Sequence, residues 1–89
     1  MAKNIRVLIV EDHDMARMGL SVILGNNPNI EIAGMSADGQ EGVDKALEIL
    51  PDVVVMDIGL PTIDGIEATK RIKASNSNIK VLMLSLIHI

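Results

Sequence analysis

Phenylalanine, tyrosine and tryptophan are absent from this sequence, so any hydrophobic core must be built from aliphatic side chains and methionine. Cysteine is also absent, which excludes disulfide bonds and thiolate metal sites and fits a reducing compartment. Basic residues are few and scattered: 8 Lys and Arg stand against 12 Asp and Glu, for a net charge of −4. Direct nucleic-acid binding by this segment is therefore not expected, because it needs a concentrated basic surface.

Long hydrophobic runs are missing as well. No apolar run approaches the roughly 20 residues that a membrane span requires, and the first apolar run is too short for a signal peptide. We therefore expect no membrane contact and a cytoplasmic location. A GxxxxGK[ST] motif is also absent, which argues against a P-loop nucleotide hydrolase. The 89 residues allow a single domain.

Four short runs rich in β-branched residues are present, at positions 5–10, 30–35, 53–56 and 79–84. Their length and composition are typical of strands buried on both faces of a parallel sheet. The second run is interrupted by Glu31, which favours a place nearer an edge. The fourth run would be left as an apolar edge, which is an aggregation hazard.

The three segments between these runs have helical periodicity. Pro51 ends the second helix, Gly25 and Asn26 end the first, and Asp64 is the expected N-cap of a third helix over about 65–74. The order β-α-β-α-β-α-β predicts an α/β fold with right-handed crossovers. We expect the methionines to fill the core rather than form a binding surface. The apolar stripes that define the first two helices are Met15, Met18 and Val22, and Val43, Ala46, Leu47 and Leu50.

Carboxylates follow two of the predicted strands: Glu11 and Asp12 after the first, and Asp57 after the third. If these strands are neighbours, their ends lie about 4.8 Å apart and the acids share one site. Like charges at that distance favour a bound cation, and oxygen ligands favour Mg²⁺. An aspartate there can act as a nucleophile in phosphoryl transfer. The alternative, that each acid is an ordinary turn or cap residue, stays open on the residues alone.

Other polar residues near these strand ends have simpler readings. Asp64 is most simply a helix cap, and Asp14 and His13 are local helix-start or solvent residues. No second His or Cys stands beside His13, so a transition-metal site is not predicted. Ser85 ends the fourth strand on the same edge, where its hydroxyl can bond a phosphoryl oxygen or be an ordinary strand-end serine.

Several of these segments together resemble the signature of response-regulator receiver domains: VLIVEDH at 7–13, VVMDIGLP at 54–61, and DG at 64–65. The stretch DHDMARMGL at 12–20 is similar to receivers that precede a helix-turn-helix DNA-binding domain. The resemblance covers positions 4–85. It implies a flavodoxin-like doubly wound parallel sheet with strand order 2-1-3-4-5.

The resemblance also implies the roles of individual residues. Asp57 becomes the phosphoacceptor, Asp12 a direct Mg²⁺ ligand, and Glu11 a ligand acting through water. The Gly59 carbonyl matches the remaining protein ligand, and Ser85 matches the switch hydroxyl. Pro61 and Gly65 match the loop that keeps this edge in shape. A histidine kinase would be the phosphodonor.

The chain departs from the family pattern near its end. The family's fifth strand and last two helices are missing, and with them a lysine that pairs with the phosphoryl group. We therefore expect a partial receiver over 1–85, with strand order 2-1-3-4, and a non-family apolar tail over 86–89. DNA would be contacted only through a missing output domain.

Three alternatives to a phosphoacceptor role remain open. A non-switching interaction module could keep the acidic site and occupy a kinase or pair with a partner's sheet edge. An aspartyl-nucleophile phosphatase is disfavoured, because such enzymes commonly carry a second Asp where this chain has Gly59. A fragment without function is the third, because losing one strand and two helices removes burial worth roughly as much as a domain's net stability.

Overall fold

Strands and helices alternate along the chain as the hydrophobic pattern predicts. The computed structural model describes residues 4–84. The predicted order β-α-β-α-β-α-β is confirmed, and each predicted boundary holds to within a residue or two. The elements are β1 (Ile5–Val10), α1 (Asp14–Gly25), β2 (Ile30–Ser36), α2 (Gly39–Ile49), β3 (Val53–Asp57), α3 (Gly65–Ser75) and β4 (Lys80–Leu84).

The four strands form one sheet in the order β2-β1-β3-β4, and every pair of neighbours is parallel. This confirms the predicted flavodoxin-like architecture. β1 and β3 occupy the centre, and this is why their residues form unbroken buried runs. β2 lies at an edge, as its interruption by Glu31 indicated. Among the described residues β4 is the other edge strand, and its Leu82 is 56% exposed.

One face of the sheet packs against α2 and α3. Leu8, Val10, Val54 and Met56 point to this face and are completely buried. The helices contribute small or branched side chains that let their backbones approach the strands closely; these are Val43, Ala46, Ala68 and Ile72. This face holds the larger part of the core.

The opposite face packs against α1, and here the prediction about the methionines is wrong. Met15 is 87% exposed and Met18 is 63% exposed, while Leu20 and Leu24 contact the sheet. α1 is apolar around much of its circumference, so periodicity alone could not determine which stripe is buried. Met56, in contrast, is completely buried.

Side chains and backbone fix the helix ends. Asp38 caps α2 by accepting a hydrogen bond from the Glu41 amide (2.7 Å), and Asp64 caps α3 through the Glu67 amide (2.8 Å). The prediction for Asp64 is confirmed. α1 has no side-chain cap on its first residues. Within residues 4–84, no helix combines the length and apolarity needed to cross a bilayer.

Two helical glycines differ sharply in their surroundings, and this predicts opposite effects of alanine. A Cβ on Gly42 would lie 2.8 Å from Val10 Cγ1, whereas a Cβ on Gly19 would meet nothing within 4 Å. We expect Gly42→Ala to lower the free energy of unfolding by about 1–3 kcal/mol through overpacking. We expect Gly19→Ala to raise it by about 0.5–1 kcal/mol through helix propensity. Urea unfolding followed by circular dichroism measures both; a stabilising Gly42→Ala contradicts the close packing of α2 on β1.

Methionine truncation tests which face of α1 is buried. Met56→Ala should lower the free energy of unfolding by about 2–5 kcal/mol, because it leaves a cavity in the core. Met18→Ala should change it by less than about 0.5 kcal/mol, as is usual for exposed positions. The same urea titrations provide the comparison. Equal large losses for the two variants would place Met18 in the core and reverse the assigned orientation of α1.

Candidate functional site

The ends of β1 and β3 bring the acids together. Val10 is paired with Met56 in the parallel register, so the residues that follow, Glu11 and Asp57, lie side by side. Glu11, Asp12, His13 and Asp57 each offer a ligand atom, and these atoms all lie within 4.8 Å of one another. The predicted clustering of the three acids on one sheet edge is therefore confirmed.

The three acids differ in burial. Glu11 and Asp57 are 1% and 5% exposed, while the Asp12 side chain is 30% exposed. Two acids that are nearly inaccessible and one that is half-buried therefore face the same small volume. Such an arrangement is costly without a compensating positive charge, because water cannot screen the repulsion.

Two carboxylate oxygens in this cluster lack a hydrogen-bond donor. Glu11 Oε2 and Asp12 Oδ1 are buried and accept no hydrogen bond from any residue between 4 and 84, although Asp12 Oδ1 lies 3.2 Å from His13 Nδ1. Buried acceptors are nearly always paired in native proteins. An oxygen-preferring cation such as Mg²⁺ would pair both atoms, so the residues present fit such an ion.

Glu11 is also held by the residue that follows the acid pair. Its Oε1 atom accepts a hydrogen bond from the His13 amide (3.0 Å) and lies 2.8 Å from His13 Nδ1. This bond with Glu11 raises the pKa of the His13 imidazole, and the charge of Asp12 raises it further. Oε1 is thus occupied, and Oε2 is the oxygen that remains for a cation.

Asp57 also has a shifted pKa. Burial raises the pKa of its carboxyl, and the negative charge of Glu11 raises it further. The backbone N–H groups of Gly59 and Ile58 donate to the carboxylate and partly offset this rise. The structure thus brings Gly59 to the site through its N–H. The predicted role of its carbonyl as a metal ligand stays a prediction.

The loop after Asp57 depends on glycine at position 65. A Cβ there would lie 2.1 Å from the Asp57 carbonyl oxygen, and the Gly65 amide donates to the Ile58 carbonyl (2.8 Å). The start of α3 is therefore packed directly on the main chain of Asp57. Pro61 joins this loop to α2, because its carbonyl accepts a hydrogen bond from the Gly39 amide (3.1 Å). Both residues act on loop shape, as the family resemblance implied.

The remaining predicted residues fall outside the acidic cluster. Asp64 is a helix cap, and Asp14 forms an ion pair with Arg17 (2.6 Å). Ser85 and the predicted boundary between positions 85 and 86 lie outside the described residues, so both stay predictions.

Arg17 was missed by the sequence analysis. Its Nη1 donates to the Glu11 carbonyl (2.8 Å) and its Nη2 to the Asp14 carboxylate (2.6 Å). The spacing of Asp14 and Arg17, three residues apart at a helix start, is a signal for an ion pair. Nothing in the sequence indicates the bond to the Glu11 carbonyl, because that bond depends on how β1 enters α1.

Comparison with known proteins agrees with this fold. The sequence profile of the "Response regulator receiver domain" matches residues 7–88. The chain is 48% identical over 81 residues to the transcriptional regulatory protein LiaR of Bacillus subtilis, and 46% identical over 82 residues to the response regulator protein VraR of Staphylococcus aureus. These alignments cover 91% and 92% of this chain but only 38% and 39% of the relatives.

Solved structures of similar proteins have the same fold. The response regulator domain of CheB from Thermotoga maritima is 42% identical with a TM-score of 0.88, over 93% of this chain and 61% of that one. CheY from Borrelia burgdorferi, in a CheX-CheY-BeF3-Mg complex, is 31% identical with a TM-score of 0.89, over 96% and 64%. A DNA-binding response regulator of the LuxR family from S. aureus is 26% identical with a TM-score of 0.86, over 94% and 70%. The chain belongs to the response regulator receiver domain family.

The raised pKa of Asp57 predicts that its charge destabilises the metal-free protein. In EDTA at pH 7, Asp57→Asn should raise the free energy of unfolding by about 1 kcal/mol, because the amide removes one charge and can donate to Glu11. This raises Tm by about 4–8 °C. The folded protein holds the Asp57 proton more tightly than the unfolded chain, so the gain is full above the raised pKa. It should narrow as the pH falls toward the unfolded value of 3.8.

Thermal melts across that pH range, with and without Mg²⁺, measure this effect. Saturating Mg²⁺ should stabilise the wild-type protein more than the variant, and so remove the difference in Tm between them at pH 7. A variant that melts below the wild type in EDTA at pH 7 contradicts the proposed cost of the clustered charges.

Proposed function

We propose that this chain is a phosphoacceptor module of a two-component system, in which Asp57 accepts a phosphoryl group with the help of Mg²⁺. The observation that carries the proposal is that two buried carboxylate oxygens, one on Glu11 and one on Asp12, accept no hydrogen bond from the described residues and lie beside the carboxyl of Asp57. Carboxylate oxygens arranged in this way can bind a divalent cation, and the bound cation can in turn attract an anionic phosphoryl group. Family membership supports the same function.

Asp57 is proposed to act as the nucleophile. One of its carboxylate oxygens forms a bond to phosphorus while the bond from phosphorus to the donor's leaving group breaks, and the leaving group departs with the electron pair. The N–H groups of Gly59 and Ile58 hold the Asp57 carboxyl in place before the reaction. Because Gly65 fixes the main chain of Asp57 against α3, the nucleophile keeps its position while the charge moves.

Glu11 and Asp12 are proposed to hold the cation, together with Asp57 and the Gly59 carbonyl. When bound, Mg²⁺ would neutralise the repulsion between these acids and the incoming phosphoryl group. The complex of B. burgdorferi CheY contains both BeF3 and Mg²⁺. This supports the proposal that a cation and a phosphoryl group can bind together to a protein of this fold. Ser85 is proposed to bond a phosphoryl oxygen as the switch hydroxyl.

The donor and the output are proposed by relationship. A histidine kinase is the expected donor, since the family belongs to two-component systems. LiaR is a transcriptional regulatory protein, and the LuxR-family relative from S. aureus is DNA-binding. We therefore propose that phosphorylation regulates transcription through a DNA-binding part of a longer protein, and that the protein is cytoplasmic. The segment itself carries a net charge of −4 and is not proposed to bind DNA.

Labelling with a small-molecule acyl phosphate tests the central step. Intact mass spectrometry should show the addition of one phosphoryl group in the presence of Mg²⁺, and hydroxylamine should remove it, as expected for an acyl phosphate. Asp57→Asn should abolish the label, and EDTA should reduce it at least tenfold, since the metal stabilises the developing charge. Asp44→Asn is the matched control, because Asp44 is an exposed acid on α2 that accepts a hydrogen bond from Gln40 (3.1 Å) and lies outside the acidic cluster.

Each outcome of this experiment separates the proposed function from its alternatives. Mg²⁺ binding without label in folded protein would favour the non-switching interaction module. Continuous release of phosphate from the donor at many turnovers would favour an aspartyl phosphatase. Persistence of the label in Asp57→Asn would show that another residue is the acceptor.

A further inference from the structure

Arg17 reaches back from the first turns of α1 to the segment that carries the acids. Its side chain is only 19% exposed, which is low for an arginine on a surface helix. The guanidinium forks between two oxygens: the Glu11 main-chain carbonyl (2.8 Å) and the Asp14 carboxylate (2.6 Å). A charged donor shielded from water makes a stronger hydrogen bond than an exposed one.

The Glu11 carbonyl belongs to the peptide group that joins Glu11 to Asp12. On the other side of the same residue, the Glu11 amide donates to the Ser36 carbonyl of β2 (3.0 Å). Arg17 therefore fixes the plane of the peptide between the two acids, and β2 fixes the amide that precedes it. Rotation of that peptide changes ψ of Glu11 and φ of Asp12, the main-chain torsions on which the relative orientation of the two acidic side chains depends.

The start of α1 differs from the starts of α2 and α3, because it has no side-chain cap. α2 and α3 are capped by Asp38 and Asp64, whereas the N-cap of α1 is His13 and makes no capping side-chain bond. The His13 side chain and amide are instead directed to Glu11. The segment 11–13 therefore has no side-chain cap, and it is held instead by the bond from Arg17 to the Glu11 carbonyl and the bond from the His13 amide to Glu11 Oε1.

We propose that Arg17 is a positioning residue for the cation site: it sets the orientation of the Glu11–Asp12 peptide and so the affinity for Mg²⁺. The inference rests on the proposed function in taking Mg²⁺ as the ion. It adds to the site a residue that is neither one of the clustered acids nor at the end of a strand. Residues that orient metal ligands from outside the coordination sphere typically change metal affinity by about 10–100-fold when removed.

The experiment measures Mg²⁺ dissociation constants by isothermal titration calorimetry, because the chain has no aromatic residue to report binding by fluorescence. Arg17→Ala should raise the dissociation constant about tenfold or more. Arg17→Lys keeps one charged donor, so its constant should lie between those of the wild type and Arg17→Ala. Asp14→Asn leaves the bond to the Glu11 carbonyl in place and should change the constant less than about threefold, as for an exposed ion pair.

Arg6→Ala is the matched control for a purely structural loss. Arg6 lies at the opposite end of β1, donates its Nη1 to the Ile49 and Leu50 carbonyls (3.0 and 3.2 Å), and pairs with Glu31 (3.4 Å). Its removal should lower Tm while leaving the Mg²⁺ constant unchanged. A second readout needs no metal: amide hydrogen exchange at His13, whose N–H donates to Glu11 Oε1, should speed up in Arg17→Ala and stay at the wild-type rate in Arg6→Ala.

The results separate this inference from the proposed function. If Arg17→Ala folds and binds Mg²⁺ as tightly as the wild type, the inference is wrong, while labelling of Asp57 can still succeed. If Arg17→Ala does not fold, Arg17→Lys decides, and a wild-type constant for that variant together with unchanged His13 exchange overturns the inference. If the wild type binds Mg²⁺ in an Arg17-dependent way but is never labelled, the proposed function fails and the positioning role stands.

Discussion

Three carboxylates lie together at the ends of two adjacent parallel strands, and the repulsion among them determines the properties of the site. Glu11 and Asp57 are almost completely buried, and the register of β1 and β3 places them side by side. The fold therefore holds negative charge where water cannot screen it. The raised pKa of Asp57 and the two buried oxygens without a hydrogen-bond donor are both consequences of this arrangement, and a divalent cation would relieve both.

The segments around the acids keep this arrangement rigid from several directions. Gly65 allows α3 to touch the Asp57 carbonyl, and Gly39 lets the start of α2 pack against the main chain at Ile63, where a Cβ would meet the carbonyl oxygen at 2.0 Å. Thr62 lies between these contacts with a positive φ of 68°, and its hydroxyl accepts a hydrogen bond from the Gln40 amide (3.1 Å). On the β1 side the corresponding contact comes from Arg17. The site is thus supported by main-chain contacts on both of its strands.

Much of this could be predicted from the sequence, because the signals were local. The β-branched runs gave the strands, Asp64 gave a helix start, and acids following two runs gave the cluster. The buried face of α1 could not be predicted, because Met15 and Met18 form as regular an apolar stripe as Leu20 and Leu24. Only the packing of the helix on β1 and β2 determines which of the two stripes is buried. The Arg17 contact was equally inaccessible, since a bond to a main-chain carbonyl leaves no residue pattern. The order of the strands in the sheet was predicted from the family resemblance. The hydrophobic pattern of a single strand does not indicate which strands lie next to it.

Paramagnetic broadening by Mn²⁺ tests most directly whether both strand ends share one cation. Substoichiometric Mn²⁺ added to isotopically labelled protein should broaden the amide signals of residues 11–13 and 57–59 together, and excess Mg²⁺ should restore them. Signals at the opposite end of the sheet, such as those of Arg6 and Asp52, should remain sharp. Broadening confined to one of the two strand ends, or centred on another acidic surface such as that of α2, would contradict a shared site.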